Sequence, residues 1–142
     1  MYPTKERILN HLPKIRKETI EYVKQWKKNC WENKDDKNKS EWRKFEKIRH
    51  LLWTLSDIYK KPISLITITK KESSYYIPLH KAIFLKNPQS IISALHEFSH
   101  HVYGASELQA CRWSIAIFKE VFPKSYSQLT WKGHMLIKEK ND

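Results

Sequence analysis

Apolar residues run through this chain in two rhythms. Between residues 40 and 60, Trp42, Phe45, Ile48, Leu52, Leu55 and Tyr59 follow one another at steps of three and four. That is the stripe of an amphipathic helix facing a core. Ser40 stands where such a helix needs a cap, Pro62 closes it, and Trp53 lies off the stripe. Upstream, residues 4–12 predict a short helix. Pro13 restarts the pattern, and residues 14–31 carry Ile15, Ile20, Val23, Trp26 and Cys30 at roughly helical spacing. Residues 33–39, Asn-Lys-Asp-Asp-Lys-Asn-Lys, hold no apolar side chain and are expected as a mobile loop.

After Pro62 the rhythm changes to two. Residues 63–69, Ile-Ser-Leu-Ile-Thr-Ile-Thr, are β-branched and alternating, which predicts a strand. Its isoleucines and leucine cannot share one face, so burial on both sides is expected for part of it. Residues 75–79 and 81–86 read as further strands, with Pro78 marking an edge or bulge. The helical rhythm then returns in Ile91, Leu95, Phe98 and Val102. Asn87 is the expected cap, Pro88 the first helical residue and Gly104 a left-handed stop. Ser106 with Gln109 reads as a capping box for a helix over 106–122. Its stripe is Leu108, Cys111, Ile115 and Phe118, with Ala110, Ile117 and Val121 beside it, and Pro123 stops it. Residues 125–129 and 131–140 form a last helix or a tail. The predicted class is α+β: N-terminal helices, then a small antiparallel sheet packed on two helices.

The first of those two helices carries His96, Glu97 and His100, an H-E-x-x-H run. Residues i and i+4 stand a turn apart on one helix face, so both imidazoles can reach one metal ion. Glu97 lies about 100° round from His96 and flanks that ion, placed to take a proton from a water there. Catalytic zinc usually has three protein ligands. Glu107, just past the bend at Gly104, can fold its carboxylate onto the two histidines and complete a His2Glu set. A metal-free helix with satisfied histidines is the competing reading, and helix signals with a downstream carboxylate weigh against it.

The pattern HEFSHHVYGASELQACRWSIAIF resembles the active-site helix and following glutamate helix of small gluzincin-clan metallopeptidases, above all minigluzincins. A wider likeness extends to ImmA/IrrE-type and SprT-like domains. It covers roughly residues 62–122. The resemblance implies His96, His100 and Glu107 as zinc ligands and Glu97 as general base. It also implies a strand before the helix, here 81–85, that pairs with an extended peptide substrate. Gly104 falls one place later than the glycine of the extended zinc signature, which argues against a metzincin. Tyr75, Tyr76, Tyr103, Tyr126 and His134 are candidate donors to a developing oxyanion, with packing or surface roles as the alternative for each. His101 points away from His100 and reads as a surface or supporting histidine. His11, His50 and His80 are weak candidates of the same kind.

The chain has 142 residues, 40% of them hydrophobic, enough for one domain with a real core. That domain divides into a basic helical part (1–61), the sheet and two helices (62–122) and a C-terminal tail (123–142). The tail, with His134 and several lysines, can lie over the cleft of a latent enzyme. No apolar run reaches membrane-spanning length and no apolar leader opens the chain, so an intracellular, cytoplasmic protein is expected. Cys30 and Cys111 make no disulfide framework, and Cys111 is expected in the core. The net charge is +12. Residues 1–61 hold 17 basic against 9 acidic side chains, a net of +8, so the excess precedes the motif. Such a field favours anionic partners, nucleic acid first, with a solvated lysine-rich surface as the competing reading. The function expected is zinc-dependent hydrolysis of a peptide or protein substrate. Two alternatives stay open: a DNA-associated module that acts on DNA-bound proteins, and a protein whose zinc is structural, held by four ligands.

Overall fold

A computed structural model describes residues 3–133 and 135–138. Helix α1 (Lys5–Asn10) opens on Thr4, whose hydroxyl accepts from the Arg7 amide. Helix α2 (Lys17–Trp26) runs on into a wide π turn at Lys27–Trp31. Helix α3 (Glu41–Tyr59) starts where the cap predicts: Ser40 Oγ accepts from the Arg43 amide. It ends at Lys60, which takes a left-handed conformation (φ 55°) before Pro62 is reached. The predicted stripe is buried from Phe45 to Tyr59. Trp42 departs from it, 57% exposed in the first turn, and Leu51, outside the predicted stripe, is fully buried.

The 33–39 stretch is fastened rather than loose. Asp36 Oδ2 accepts from Arg43 Nε at 2.8 Å and lies 3.1 Å from Lys47 Nζ. The Lys47 side chain is only 4% exposed, and a buried ammonium needs a counter-charge. That need holds the polar loop against α3.

Strands β1 (Leu65–Ile68), β2 (Tyr75–Ile77) and β3 (Ala82–Leu85) form one sheet in the order β1-β3-β2. β2 and β3 are antiparallel, joined by a 3-10 turn at Pro78–His80 and a left-handed Lys81. β1 and β3 are parallel, with Ile66 opposite Ile83. The sheet is therefore mixed, not antiparallel. The link 69–74 carries the chain past the central position, and β3 returns into the gap. Central β3 buries Ile83 and Leu85 fully. β1 is an edge strand, so the expected two-sided burial fails: Ile66 is buried but Leu65 is 46% and Ile68 38% exposed. Strand 81–85 has both edges occupied, which removes it as the partner of an extended peptide. The edge strand beside the cleft is β2.

Helix α4 (Ile91–Tyr103) is capped by Ser90, whose Oγ accepts from the Ser93 amide at 3.1 Å. Asn87 and Pro88 do not cap it. Asn87 closes the preceding turn instead, through its side chain to the Gln89 amide and its carbonyl to Ser90. Helix α5 (Glu107–Val121) follows, and Pro123 both ends it and opens α6 (Pro123–Ser127). Of the expected last helix or tail, 125–127 are helical in α6, β4 (Leu129–Lys132) and β5 (Met135–Lys138) form a hairpin instead, and 139–140 lie outside the described residues. Gly133 at φ 64° makes the hairpin turn. Trp131 and Leu136 sit opposite each other and pack on Ile8, Cys111 and Ile115. The main core joins α2, α3, β1, β3, α4 and α5 around Val23, Ile48, Leu52, Leu55, Ile83, Leu95, Phe98 and Ile117. The fold is α+β with N-terminal helices, as predicted. Among the described residues no helix is long and apolar enough to cross a membrane.

Hydrogen bonds from Arg43 and then Lys47 pull the Asp36 carboxyl from 3.8 to about 2. A carboxyl depressed on folding stabilises the fold above its unfolded value and loses that effect as pH falls through the folded one. Thermal melts should therefore drop between about pH 4 and pH 2, and Asp36→Ala should lower the neutral-pH melting temperature and flatten that limb. An unchanged acid limb in the variant would show that the loop is not tied through Asp36.

Candidate metal centre

His96 and His100 stand one turn apart on α4, their ring centroids 4.9 Å from each other. Four residues after His100 the backbone must reverse. Gly104 does this at φ +104°, ψ −159°. This is an extended positive-φ conformation rather than the expected left-handed one, and it is essentially open to glycine alone. Space is not the reason, since a Cβ there would meet nothing within 4 Å. Ser106 Oγ then accepts from the Gln109 amide, so Glu107 becomes the first residue of α5.

The turn brings the Glu107 carboxylate onto both rings. Oε1 lies 2.7 Å from His100 Nε2, and Oε2 lies 3.2 Å from His96 Nε2. Behind His100, Nδ1 donates to the Gly104 carbonyl at 2.8 Å. With Nδ1 so occupied, Nε2 is the nitrogen turned to Glu107 and the one a metal ion would take. Behind His96, Nδ1 faces Cys111 Sγ at 3.8 Å. His96, Glu107 and Cys111 each offer a ligand atom within 4.8 Å of the others, close enough to hold a metal ion. The donor set thus fits a divalent cation: imidazole, carboxylate and sulfur are all zinc-binding groups. The four side chains come from two i,i+4 pairs that face each other, His96 with His100 on α4 and Glu107 with Cys111 on α5.

Burial opposes a charge on His96, but hydrogen bonds with Cys111 and Glu107 and the charge of Glu97 outweigh it and raise its pKa to about 10. The same contact with His96 takes Glu107 down to about 2 against its own burial. A proton shared between ring and carboxylate thus occupies the place where a cation would sit. Glu97 is 7% exposed. Burial pushes its carboxyl up, while His96 and His100 pull it back. Among the described residues none hydrogen-bonds its carboxylate, which leaves it free to accept a proton.

His101 is a supporting residue. Its Nε2 donates to the Lys61 carbonyl at 2.7 Å, so Nδ1 accepts from the Tyr76 hydroxyl at 2.7 Å. Burial holds this ring neutral by lowering its pKa. The contact ties the end of α4 to β2 and to the exit of α3, and it occupies the Tyr76 hydroxyl. Tyr75 stacks on Phe84 at 4.6 Å and, with Tyr103, lines the cleft. Tyr126 packs against the Ile8–Cys111–Ile115 cluster. His134 lies outside the described residues. His11, His50 and His80 are exposed and do not line the cleft, and Cys30 sits in the π turn. The cleft itself has a volume of about 1530 Å³. One wall is β2, the other the α5 and hairpin side chains Ile115, Phe118, Leu129 and Leu136.

Cys111 is the site residue that apolar patterning hides. It was expected in the core and is buried, yet its sulfur faces the site. The signal was present: Cys111 follows Glu107 by four, the same spacing that pairs the histidines.

A cation must displace the proton from His96, so zinc affinity should climb as pH rises from 6.5 towards about 10. Without metal the sign is the reverse. The raised imidazole stabilises the fold fully below 6.5, and the depressed Glu107 carboxyl fully above 4.5, so the ion pair counts most between those values. At a zinc concentration 100 times Kd the melting curve should shift by the equivalent of about 2.7 kcal/mol, and His96→Ala should abolish the shift. A zinc-independent melting temperature would remove the metal site. The chain matches no family model, and neither a search of curated proteins nor one of solved structures returns a match.

Proposed function

We propose that the protein is a zinc-dependent metallopeptidase of gluzincin type. The observation that carries this reading is a single carboxylate, Glu107, meeting the Nε2 atoms of both H-E-x-x-H histidines at 2.7 and 3.2 Å, with Glu97 beside them. His96, His100 and Glu107 would hold the zinc, which when bound supplies a Lewis acid and lowers the pKa of a water. Glu97 takes a proton at its raised carboxyl and returns it to the leaving amine. An extended peptide lies along the outer edge of β2, where backbone groups can pair with it without demanding a particular sequence. Bulky apolar side chains of the substrate fit the Ile115–Phe118–Leu129 wall. The hairpin borders the same cleft, which is what supports a latent form.

Two further readings have support of their own. Cys111 within reach of the site favours a closed, four-ligand structural zinc. Lys14, Lys24, Lys28, Lys34, Lys37 and Lys39, all exposed on the N-terminal part, favour a nucleic-acid contact that brings the enzyme to DNA-bound substrates. Its affinity for DNA should fall steeply with salt.

The decisive measurement pairs metal content with cleavage of an unstructured protein, using untagged enzyme. Wild type should carry close to one zinc per chain and cleave. Glu97→Gln should keep the zinc and lose a factor of roughly 10²–10⁴ in rate, the usual weight of a general base. Fewer than about 0.2 zinc per chain, unchanged by His96→Ala, would end the proposal.

A further inference from the structure

The two site histidines are held from behind by different chemistries. His100 Nδ1 donates to a backbone carbonyl, Gly104, at 2.8 Å. His96 Nδ1 faces a sulfur, Cys111 Sγ, at 3.8 Å. Metal-binding histidines nearly always give their second N–H to an oxygen acceptor, which fixes the tautomer and the ring's orientation. Here a thiol stands in that place. The thiol is itself fixed: Cys111 is 5% exposed and packs with Ile8 and Ile115 under Leu108, Trp131 and Leu136. Helix α1, which supplies Ile8, is latched to α5 by two hydrogen bonds from Arg112 to the Arg7 carbonyl at 2.6 and 3.2 Å.

From this geometry we infer that Cys111 is a positioning residue for His96 and not a ligand: its sulfur accepts from His96 Nδ1–H and so presents Nε2 to the metal. The reasoning rests on the metal-site reading above. Nε2 is turned to Glu107 and Nδ1 to Cys111, and one imidazole cannot give both nitrogens to one ion. His96 would give Nε2 to an ion shared with His100 and Glu107 and keep Nδ1 for the sulfur. The N-terminal helix and the C-terminal hairpin then support the site at a distance, because they hold the sulfur that holds the ring.

The test compares wild type, Cys111→Val, which keeps bulk and loses the acceptor, and Cys111→Ser, which keeps an acceptor. Each is titrated with zinc against a chelator and with cobalt(II) followed by absorption. Wild-type cobalt protein should show visible d–d bands without a near-ultraviolet sulfur-to-cobalt band. Cys111→Val should bind zinc roughly 10- to 100-fold more weakly, the usual effect of losing such a support, and Cys111→Ser should recover most of it. Cys111→Ala replaces Cys111→Val if the latter does not fold. A sulfur-to-cobalt band that vanishes in Cys111→Ser would make Cys111 a ligand and overturn the inference. So would an unchanged zinc affinity in Cys111→Val. Wild type that binds neither metal would bring down the metal-site reading itself, a result distinct from both.

Discussion

One carboxylate joins the two helices on which the site depends. Glu107 reaches across the turn at Gly104 to both imidazoles, and without that contact the part-buried Nε2 atoms of His96 and His100 would lose the carboxylate they face. His96, Glu97 and Glu107 shift one another in opposite directions: the ring goes up, Glu107 goes down, and burial keeps Glu97 raised. Such divergence among neighbouring titratable groups is a mark of sites arranged for chemistry, although ion-pair networks produce it too. The cleft beside them supplies the second mark, a concave surface where something can bind.

Rigidity at the site comes from the far side of the helices. Tyr59 of α3, Phe98 of α4 and Trp113 of α5 form an aromatic cluster with centroids 5.8 to 6.2 Å apart. Each such pair adds about 0.5–1.5 kcal/mol beyond the area it buries. The Tyr59 hydroxyl bonds Thr19 at 2.8 Å, which carries the cluster on to α2. Phe98 lies two residues after His96 and two before His100 on α4. The buried face of the helix is thus locked by aromatic packing, while the opposite face presents imidazoles to the cleft. The N-terminal helices earn a structural role here that is separate from their charge.

What could be read in the sequence was local. The stripe of α3 from Phe45 onward, the cap at Ser40, the H-E-x-x-H face and the Ser106 start of α5 all depend on residues within a few positions of one another, and these stand as read. Two misreadings are local, the α4 cap at Ser90 rather than Asn87 and the conformation of Gly104, and the others concern partners more distant in sequence. Strand direction in the β1–β3 pair is set by where the chain returns, which alternation does not encode. The order of the 33–39 loop depends on a lysine, Lys47, that helical spacing alone places against it. The C-terminal hairpin has one glycine turn and a mixed pattern that suits a strand or a helix equally. Cys111 lies in the core as its hydrophobicity predicts, and what patterning does not show is that a packed thiol remains a donor and an acceptor for His96.

His96, His100, Glu107 and Cys111 fall between positions 96 and 111, within a single helical hairpin, whereas the Arg112–Arg7 contact that latches α1 behind them spans 105 residues. Closing the short link costs less chain entropy than closing the long one. The order of assembly that follows puts the α4–α5 corner early and its backing by α1 late. A folding chain would then gather the imidazoles and the carboxylate before the first helix is fastened behind the sulfur.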